Sequence, residues 1–402
     1  MDYRVRYEEI ENKKSLFVIP SLLPGGAEYQ TINQINYLVE RGYKNIRLAI
    51  LSNGLFLFDK VKLSREFMFI VEDNDEINIS GRMVKLLPGI SKRLFRYAKE
   101  EGITDIIAIL PMAHLACRLV KLNYFFSFKK QPALNVYYRS VTYEISPMDT
   151  FFKKAFNKFN SLLARFFDNR SLFISKAVYE DIRGNFYVPE SLVLPNSLPE
   201  LDISGEEGKT FLASRGLWKE GRYLILVPGR LQLKKGHSFF INSFKLFVEQ
   251  RSIGPDQVKV IFAGEGPLRE VVEAEIASSG MQDYIDVCGF VENKLLLSLY
   301  KSVDLVIIPS LHEGFGNVAI EGLMQKSLLL VSDTGGLSEI IRDGENGFKF
   351  QTNDTASFLN KLSYIYDNRH TDLVNRDALH REFLSKYTLE SQMKKIQEFC
   401  GF

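Results

Sequence analysis

The sequence has little cysteine, little net charge and no long apolar run. Cys117, Cys288 and Cys400 are odd in number and far apart. They make neither a disulfide framework nor a zinc site, and they fit a reducing compartment. A net charge of +2 gives no overall nucleic-acid footprint. No apolar stretch approaches the roughly 20 residues that a membrane span needs. The opening residues, MDYRVRYEEIENKKS, are too charged for a secretory signal, so a cytoplasmic protein is expected. Internal repeats, low-complexity tracts, a P-loop and metal-ligand clusters are also missing, so no metal or cofactor is expected.

What is present is an ordinary globular composition, 46 % apolar and 25 % charged, in 402 residues. That length exceeds one core and predicts two domains. The most informative stretch runs from Asp304 to Phe350. Leu305 to Ile308 is a short apolar run ended by Pro309, the pattern of a buried parallel strand. A glycine-rich loop, Ser310 to Gly316, leads to a helix start at Asn317. A second apolar run, Leu328 to Val331, ends in Asp333-Thr334-Gly335-Gly336. Strand, glycine loop and helix, repeated, is the grammar of a nucleotide-binding α/β unit. Loop glycines let backbone amides approach a ligand, and the helix start favours phosphate. Glu321 in that helix is placed for sugar or ribose hydroxyls, and Glu313 in the loop for a second hydroxylated ring.

The segment EGFGNVAIE, with its flanking P-S-x-x-E-G-F-G and T-G-G-x-x-E-I-I, resembles the E-x7-E motif of retaining GT-B glycosyltransferases of family four. The resemblance is strong over residues 222 to 350 and looser over 15 to 200. It implies two Rossmann-like α/β domains facing across a cleft: residues 1–200 for the acceptor and 201–385 for a nucleotide sugar, with 386–402 crossing back to the first. It further implies transfer with retention, from a donor that is usually a UDP-sugar, to a glycan or a lipid-linked acceptor. Pro228 to Gly236 resembles the family's G-R-L…K-G motif, in which Arg230 and Lys235 stabilise the departing diphosphate in place of a metal. The resemblance assigns Gly314, Phe315, Gly316, Asn317, Val318 and Glu321 to the donor, Glu313 to the transferred sugar, and Gly289, Phe290 and Val291 to the base.

The first half opens with a strand, Ser15 to Pro20, then Pro24-Gly25-Gly26-Ala27-Glu28 turning into a helix. Gly25 and Gly26 resemble the family's first loop, which faces the donor diphosphate. His114 follows a strand at Asp105 to Leu110 and reads either as a catalytic group facing the donor sugar or as a structural helix-start residue. The family's H-x-H text is absent. Arg139 ends the strand Asn135 to Tyr138 and reads either as an acceptor contact or as a surface arginine. Residues 53 to 85 show no regular pattern. Asp73-Asn74-Asp75 matches a metal-holding D-x-D formally but reads as a solvated turn. Ala263-Gly264-Glu265-Gly266-Pro267 is not a dinucleotide fingerprint, because Arg269 replaces the third glycine and no acid ends the strand Ile285 to Cys288.

Thr150 to Arg170, TFFKKAFNKFNSLLARFFDNR, is a phenylalanine-rich basic helix. One reading is peripheral membrane contact through residues 151–167. The commoner alternative is a stripe of Phe152, Phe156, Phe159, Leu163 and Phe166 packed on the N-terminal sheet. Two rival functions share the architecture: a non-catalytic accessory subunit and a UDP-sugar 2-epimerase. The epimerase needs further carboxylates and histidines in the first-domain loops, and these are not seen.

Overall fold

Short, continuous apolar runs bounded by glycine and proline form parallel strands buried on both faces, and the helices between them cover those faces. The computed structural model describes residues 13–143, 149–201 and 203–400. The charged opening, residues 1–12, lies outside them. The chain divides into two units: one holds the residues up to Ser197 and those from Leu389, the other runs from Leu198 to Thr388.

The first unit carries strands β1 (Ser15–Ile19), β2 (Ile46–Ile50), β3 (Met68–Ile70), β4 (Asp105–Ile109), β5 (Ala133–Tyr138), β6 (Arg170–Phe173) and β7 (Glu190–Val193). They form one parallel sheet in the order β3-β2-β1-β4-β5-β6-β7. Its helices are α1 (Gly26–Glu40), α2 (Gly81–Glu100), α3 (Pro111–Phe126), α4 (Phe151–Phe167) and α5 (Lys176–Arg183). The edge strand β3 lies in the stretch without a sequence pattern. It has three residues, all half-buried, and the short apolar run Phe67 to Val71 is the signal that marks it. The Asp73-Asn74-Asp75 turn is not all solvated. Asn74 is buried and donates to the Leu51 carbonyl at 2.6 Å, while Asp73 and Asp75 pair with Arg93 and Arg82 respectively. The two carboxylates are thereby spent on separate arginines.

The second unit carries α6 (Glu206–Ser214), β8 (Tyr223–Pro228), α7 (His237–Gln250), β9 (Val258–Ala263), α8 (Arg269–Ser278), β10 (Ile285–Gly289), α9 (Asn293–Ser302), β11 (Leu305–Ile308), α10 (Asn317–Met324), β12 (Leu329–Ser332), α11 (Gly335–Ile340), β13 (Phe348–Phe350), α12 (Thr355–Asp367) and α13 (Arg376–Lys386). Its parallel sheet has the order β10-β9-β8-β11-β12-β13. The last helix, α14 (Leu389–Cys400), belongs to the first unit. Its buried Gln392 accepts from Gln34 at 2.8 Å and from the Ser197 hydroxyl at 2.9 Å, and donates to the Pro195 carbonyl at 2.6 Å. A buried amide with its bonds met locks α14 to α1, since leaving any of these groups unpaired costs about 1–3 kcal/mol.

In each sheet the strand order reverses beside the first strand, between β1 and β4 and between β8 and β11. Loops leaving the carboxyl ends of such strand pairs spread apart and leave room for a ligand.

Candidate functional site

In the second unit the reversal lies between the loop after β8, Gly229 to Gly236, and the loop after β11, Pro309 to Gly316. Backbone bonds fasten the two loops together. The amides of Leu311 and His312 donate to the Lys234 carbonyl at 2.8 and 3.3 Å. Gly236 has a left-handed backbone (φ 69°), and a Cβ there would come within 2.0 Å of the Pro309 carbonyl oxygen. Only glycine satisfies both demands.

This juncture brings Lys235 onto Glu313. The ammonium donates to Glu313 Oε2 at 2.5 Å, with both side chains largely shielded from solvent. Ser310 Oγ lies 3.3 Å from the same oxygen. Arg230 is exposed on the same loop. Lys234 was not singled out by sequence reading, yet it stands in the same cluster. Burial of its amine lowers its pKa, Lys235 and Arg230 lower it further, and Glu313 opposes them. Three cations on one short loop raise the local positive potential, and a dianionic group would relieve their mutual repulsion.

The Glu313-to-Asn317 turn is clamped from behind by the second glycine loop. The Gly336 amide donates to the Glu313 carbonyl at 3.1 Å. A Cβ on Gly335 (φ 48°) would lie 1.8 Å from that carbonyl oxygen, and one on Gly336 would lie 2.3 Å from Phe315 Cα. The T-G-G text therefore has a mechanical reason. The turn ends at Gly316, whose left-handed backbone (φ 108°) begins α10 with no side-chain cap. Its helix start is a positive end that favours an anion.

Glu321 sits in α10, half-buried. Its pKa is pushed up to about 7, chiefly by burial, with Tyr300 and Lys235 opposing. The Tyr300 hydroxyl lies 3.1 Å from Glu321 Oε2 and 3.0 Å from the Val318 carbonyl, so its one proton serves one acceptor at a time. Glu321 therefore keeps acceptor capacity for a hydroxyl brought by a ligand. Nothing in the α9 sequence marks Tyr300 as its support.

The third wall is a stack of glycine loops after β8, β9 and β10. The Gly229 amide donates to Ala263 at 3.0 Å, and that of Gly264 to Gly289 at 2.9 Å. A Cβ on Gly264 would reach within 2.0 Å of the Gly229 carbonyl. So the Gly264-Glu265-Gly266 text serves loop packing. Gly289 is itself left-handed (φ 75°), next to an exposed Phe290 and a half-buried Val291.

The first unit presents a different picture. Gly25 caps α1 with extended backbone (φ −165°), and Gly26 is exposed. A Cβ on Gly25 would come within 2.3 Å of Glu28 Oε2, so that carboxylate folds over the turn. Burial raises the Glu28 pKa, and Arg139 opposes the shift. Arg139 is not a surface residue. It is buried against the Tyr137 ring at 3.9 Å and donates to Gln34 Oε1 at 2.9 Å and to Asn196 Oδ1 at 3.2 Å.

His114 is buried in the first unit. It is 2 % exposed, its Nε2 lies 3.1 Å from the Tyr137 carbonyl, and its ring packs edge-on against Tyr138. A carbonyl only accepts, so Nε2 carries the proton. Burial and the nearby Arg118 push its pKa down to about 3. A neutral ring bonded to backbone fits the structural alternative for this residue. The signal for this was the apolar text around it, PMAHLAC, which leaves little polar company for a proton shuttle.

Comparison with known proteins fits this geometry. Residues 209–380 match the family model "Glycosyl transferases group 1". An uncharacterized glycosyltransferase of Methanocaldococcus jannaschii is 33 % identical over 239 residues, 55 % of this chain and 60 % of that protein. The lipopolysaccharide core biosynthesis mannosyltransferase LpcC of Rhizobium leguminosarum is 25 % identical over 219 residues, 54 % of this chain and 61 % of that one. The chain thus spans less than two thirds of either relative. The crystal structure of HepE from Anabaena in complex with UDP superposes with a TM-score of 0.77 at 17 % identity, covering 96 % of this chain and 99 % of that chain. The fold is therefore GT-B, two Rossmann-like units in one chain, and residues 209–380 are similar to the group 1 glycosyl transferases.

Proposed function

We propose that the chain moves a sugar from a UDP-sugar to a glycan or lipid-linked acceptor in surface polysaccharide or glycoconjugate synthesis, with retention at the anomeric carbon. The observation that carries this reading is the meeting of Lys235, Glu313 and the uncapped α10 start at the strand-order reversal of the second sheet. Arg230, Lys234 and Lys235 take the diphosphate. The amides of Gly314 to Val318 extend that cradle. Glu321 accepts from the ribose hydroxyls, and the Gly289-Phe290-Val291 turn borders the base. Glu313 holds the transferred sugar. The UDP carried by the HepE structure and the glycan chemistry named for LpcC both support the assignment.

In this reading fixed cations supply the counter-charge that a departing diphosphate needs, an effect worth about 10²- to 10³-fold in rate per group. The sugar–phosphate bond breaks as the acceptor oxygen bonds to the same face of the sugar. The leaving phosphate oxygen takes the acceptor proton. Glu313 must exchange its bond to Lys235 for the sugar hydroxyls when the donor enters, which couples donor binding to release of the Lys235 charge. In the first unit Gly25 and Gly26 keep the donor-loop role that the family resemblance gives them, and Arg139 orders the acceptor side through Gln34 and Asn196 rather than by direct exposure.

A panel of nucleotide sugars, assayed for UDP release with and without a polyprenyl-linked glycan, tests the proposal. Acceptor-stimulated UDP release is expected. An epimerised sugar nucleotide without transfer, or no turnover of any donor, overturns it.

A further inference from the structure

Helix α4 carries two apolar faces, and the sheet uses only one. At about 100° per residue, Leu163 and Phe167 lie on the inward side and are buried with Ala164. Arg118 fixes that side. Its guanidinium, fully buried, donates to Asn160 of α4 at 2.7 Å and forks onto Asp168 at 2.9 and 2.6 Å. The inward face is thus pinned by a satisfied buried ion pair, and α4 cannot roll without breaking it.

The other apolar face is exposed. Phe151, Phe152, Ala155, Phe159, Leu162 and Phe166 fall within a sector of about 100°, and Phe152 is 83 % and Phe166 73 % exposed. The expectation that a stripe containing Phe152, Phe159 and Phe166 packs on the sheet is therefore overturned. Lys154, Lys158 and Arg165 form a band along one edge of the exposed sector, within about 40° of one another. Among the described residues none of these three is held in an ion pair; Lys153, on another side of the helix, is the one paired, with Asp149. The cationic band lines an open depression of about 940 Å³, together with Asn185 and Tyr187 from the turn after α5.

The end of α3 carries exposed phenylalanines as well. Strands β5 and β6 are parallel neighbours, so the carboxyl ends of α3 and α4, which lead into them, lie at the same edge of the sheet. There Phe125, Phe126 and Phe128 are exposed, the last at 96 %, followed by exposed Lys129 and Lys130. Exposed aromatics beside unpaired cations favour a medium that offers hydrocarbon and negative charge together. A water-facing surface gains nothing from this arrangement.

We infer that the α4 face is a docking surface for an anionic phospholipid bilayer, with its phenylalanines seated at the acyl boundary and Lys154, Lys158 and Arg165 holding lipid phosphates in the adjoining depression. The inference deepens the lipid-linked part of the proposed reaction and rests on that reading for its purpose. A bilayer fits better than a second copy of the chain, because a self-complementary face would bring the like-charged bands of two copies near one another.

The test is sedimentation of the full chain with vesicles of phosphatidylcholine alone or with phosphatidylglycerol, alongside UDP release with soluble and vesicle-borne acceptors. Binding is expected to the anionic vesicles and to fall with salt. Each basic side chain near an anionic surface is worth roughly fivefold in partitioning, so the triple variant K154S/K158S/R165S should lose on the order of a hundredfold. The triple variant F152S/F159S/F166S should also release the protein, while both variants keep UDP release with a soluble acceptor. Absence of vesicle binding by the wild type overturns the inference. So does a concentration-dependent dimer that the phenylalanine variant makes monomeric. Vesicle binding with no UDP release from any donor leaves this surface standing and removes the reaction instead.

Discussion

The two strand-order reversals of this chain have the same topology and opposite chemistry. In the first unit, polar groups near the reversal are turned inward: His114 onto a backbone carbonyl, Arg139 onto Gln34 and Asn196. In the second unit, Lys235 and Glu313 meet within partial reach of solvent, beside the exposed Arg230. A polar group with its bonds met by the protein stabilises the fold, whereas a cation cluster with charge to spare awaits a ligand. In the proposed reaction this difference is why the charged part of the donor is given to the second unit.

The sharpest way to break that contrast is to remove charge from the second unit. Lys235→Ala should lower turnover by about 10²- to 10³-fold with the melting temperature nearly unchanged; steady-state UDP release measures it, and undiminished turnover would erase the distinction. Next is the clamp behind the turn. Gly335→Ala puts a side chain at positive φ against the Glu313 carbonyl, and a loss of about 2–4 kcal/mol of stability is expected in denaturant titration.

In the first unit, His114→Ala should cost about 2–3 kcal/mol by leaving a cavity and an orphaned Tyr137 carbonyl. At a permissive temperature its kcat should stay within about threefold of wild type. A thousandfold loss of kcat in a folded protein would return His114 to the reaction.

The subtlest effect is the pH response of Glu321. Its folded pKa, about 7, lies above the ordinary carboxylate range. The folded chain therefore keeps a proton that the unfolded chain gives up, and stability falls as pH rises from the ordinary carboxylate range toward 7. Glu321→Gln should remove this penalty and raise the melting temperature of the empty protein by about 2 °C at pH 8, with little change near pH 4. Ribose hydroxyls donate to the ionised form, so the wild-type advantage in UDP affinity over Glu321→Gln should grow from pH 5.5 to pH 8, reaching about tenfold. Calorimetry at several pH values measures this, and a flat ratio would remove the ribose role.

Much of this was legible in the residues themselves. The strands of both sheets follow from short apolar runs cut by glycine and proline, and the second-unit loops carry cations that packing does not call for, between glycines that close backbone approach requires. What was hidden arises from tertiary contact. Met68–Ile70 pairs with the edge of β2, and its apolar run, Phe67 to Val71, is short enough to be passed over in a charged stretch. Arg139 and His114 look available in sequence, and only burial shows that the protein itself supplies partners to the His114 Nε2 and to both terminal nitrogens of Arg139. The α4 stripe reads as core by periodicity, yet the inward face is chosen by Arg118 and Asp168, which lie outside the helix. Lys234 and Tyr300 gain their positions from loops that meet across the sheet.

In the proposed reaction the cations of the Gly229–Gly236 loop and the start of α10 hold a diphosphate. A crystal of the full chain soaked with UDP tests it most directly. Phosphate oxygens are expected within hydrogen-bond distance of Arg230 and Lys235, and ribose hydroxyls on Glu321. UDP bound elsewhere, with the Lys235–Glu313 pair undisturbed, would contradict it.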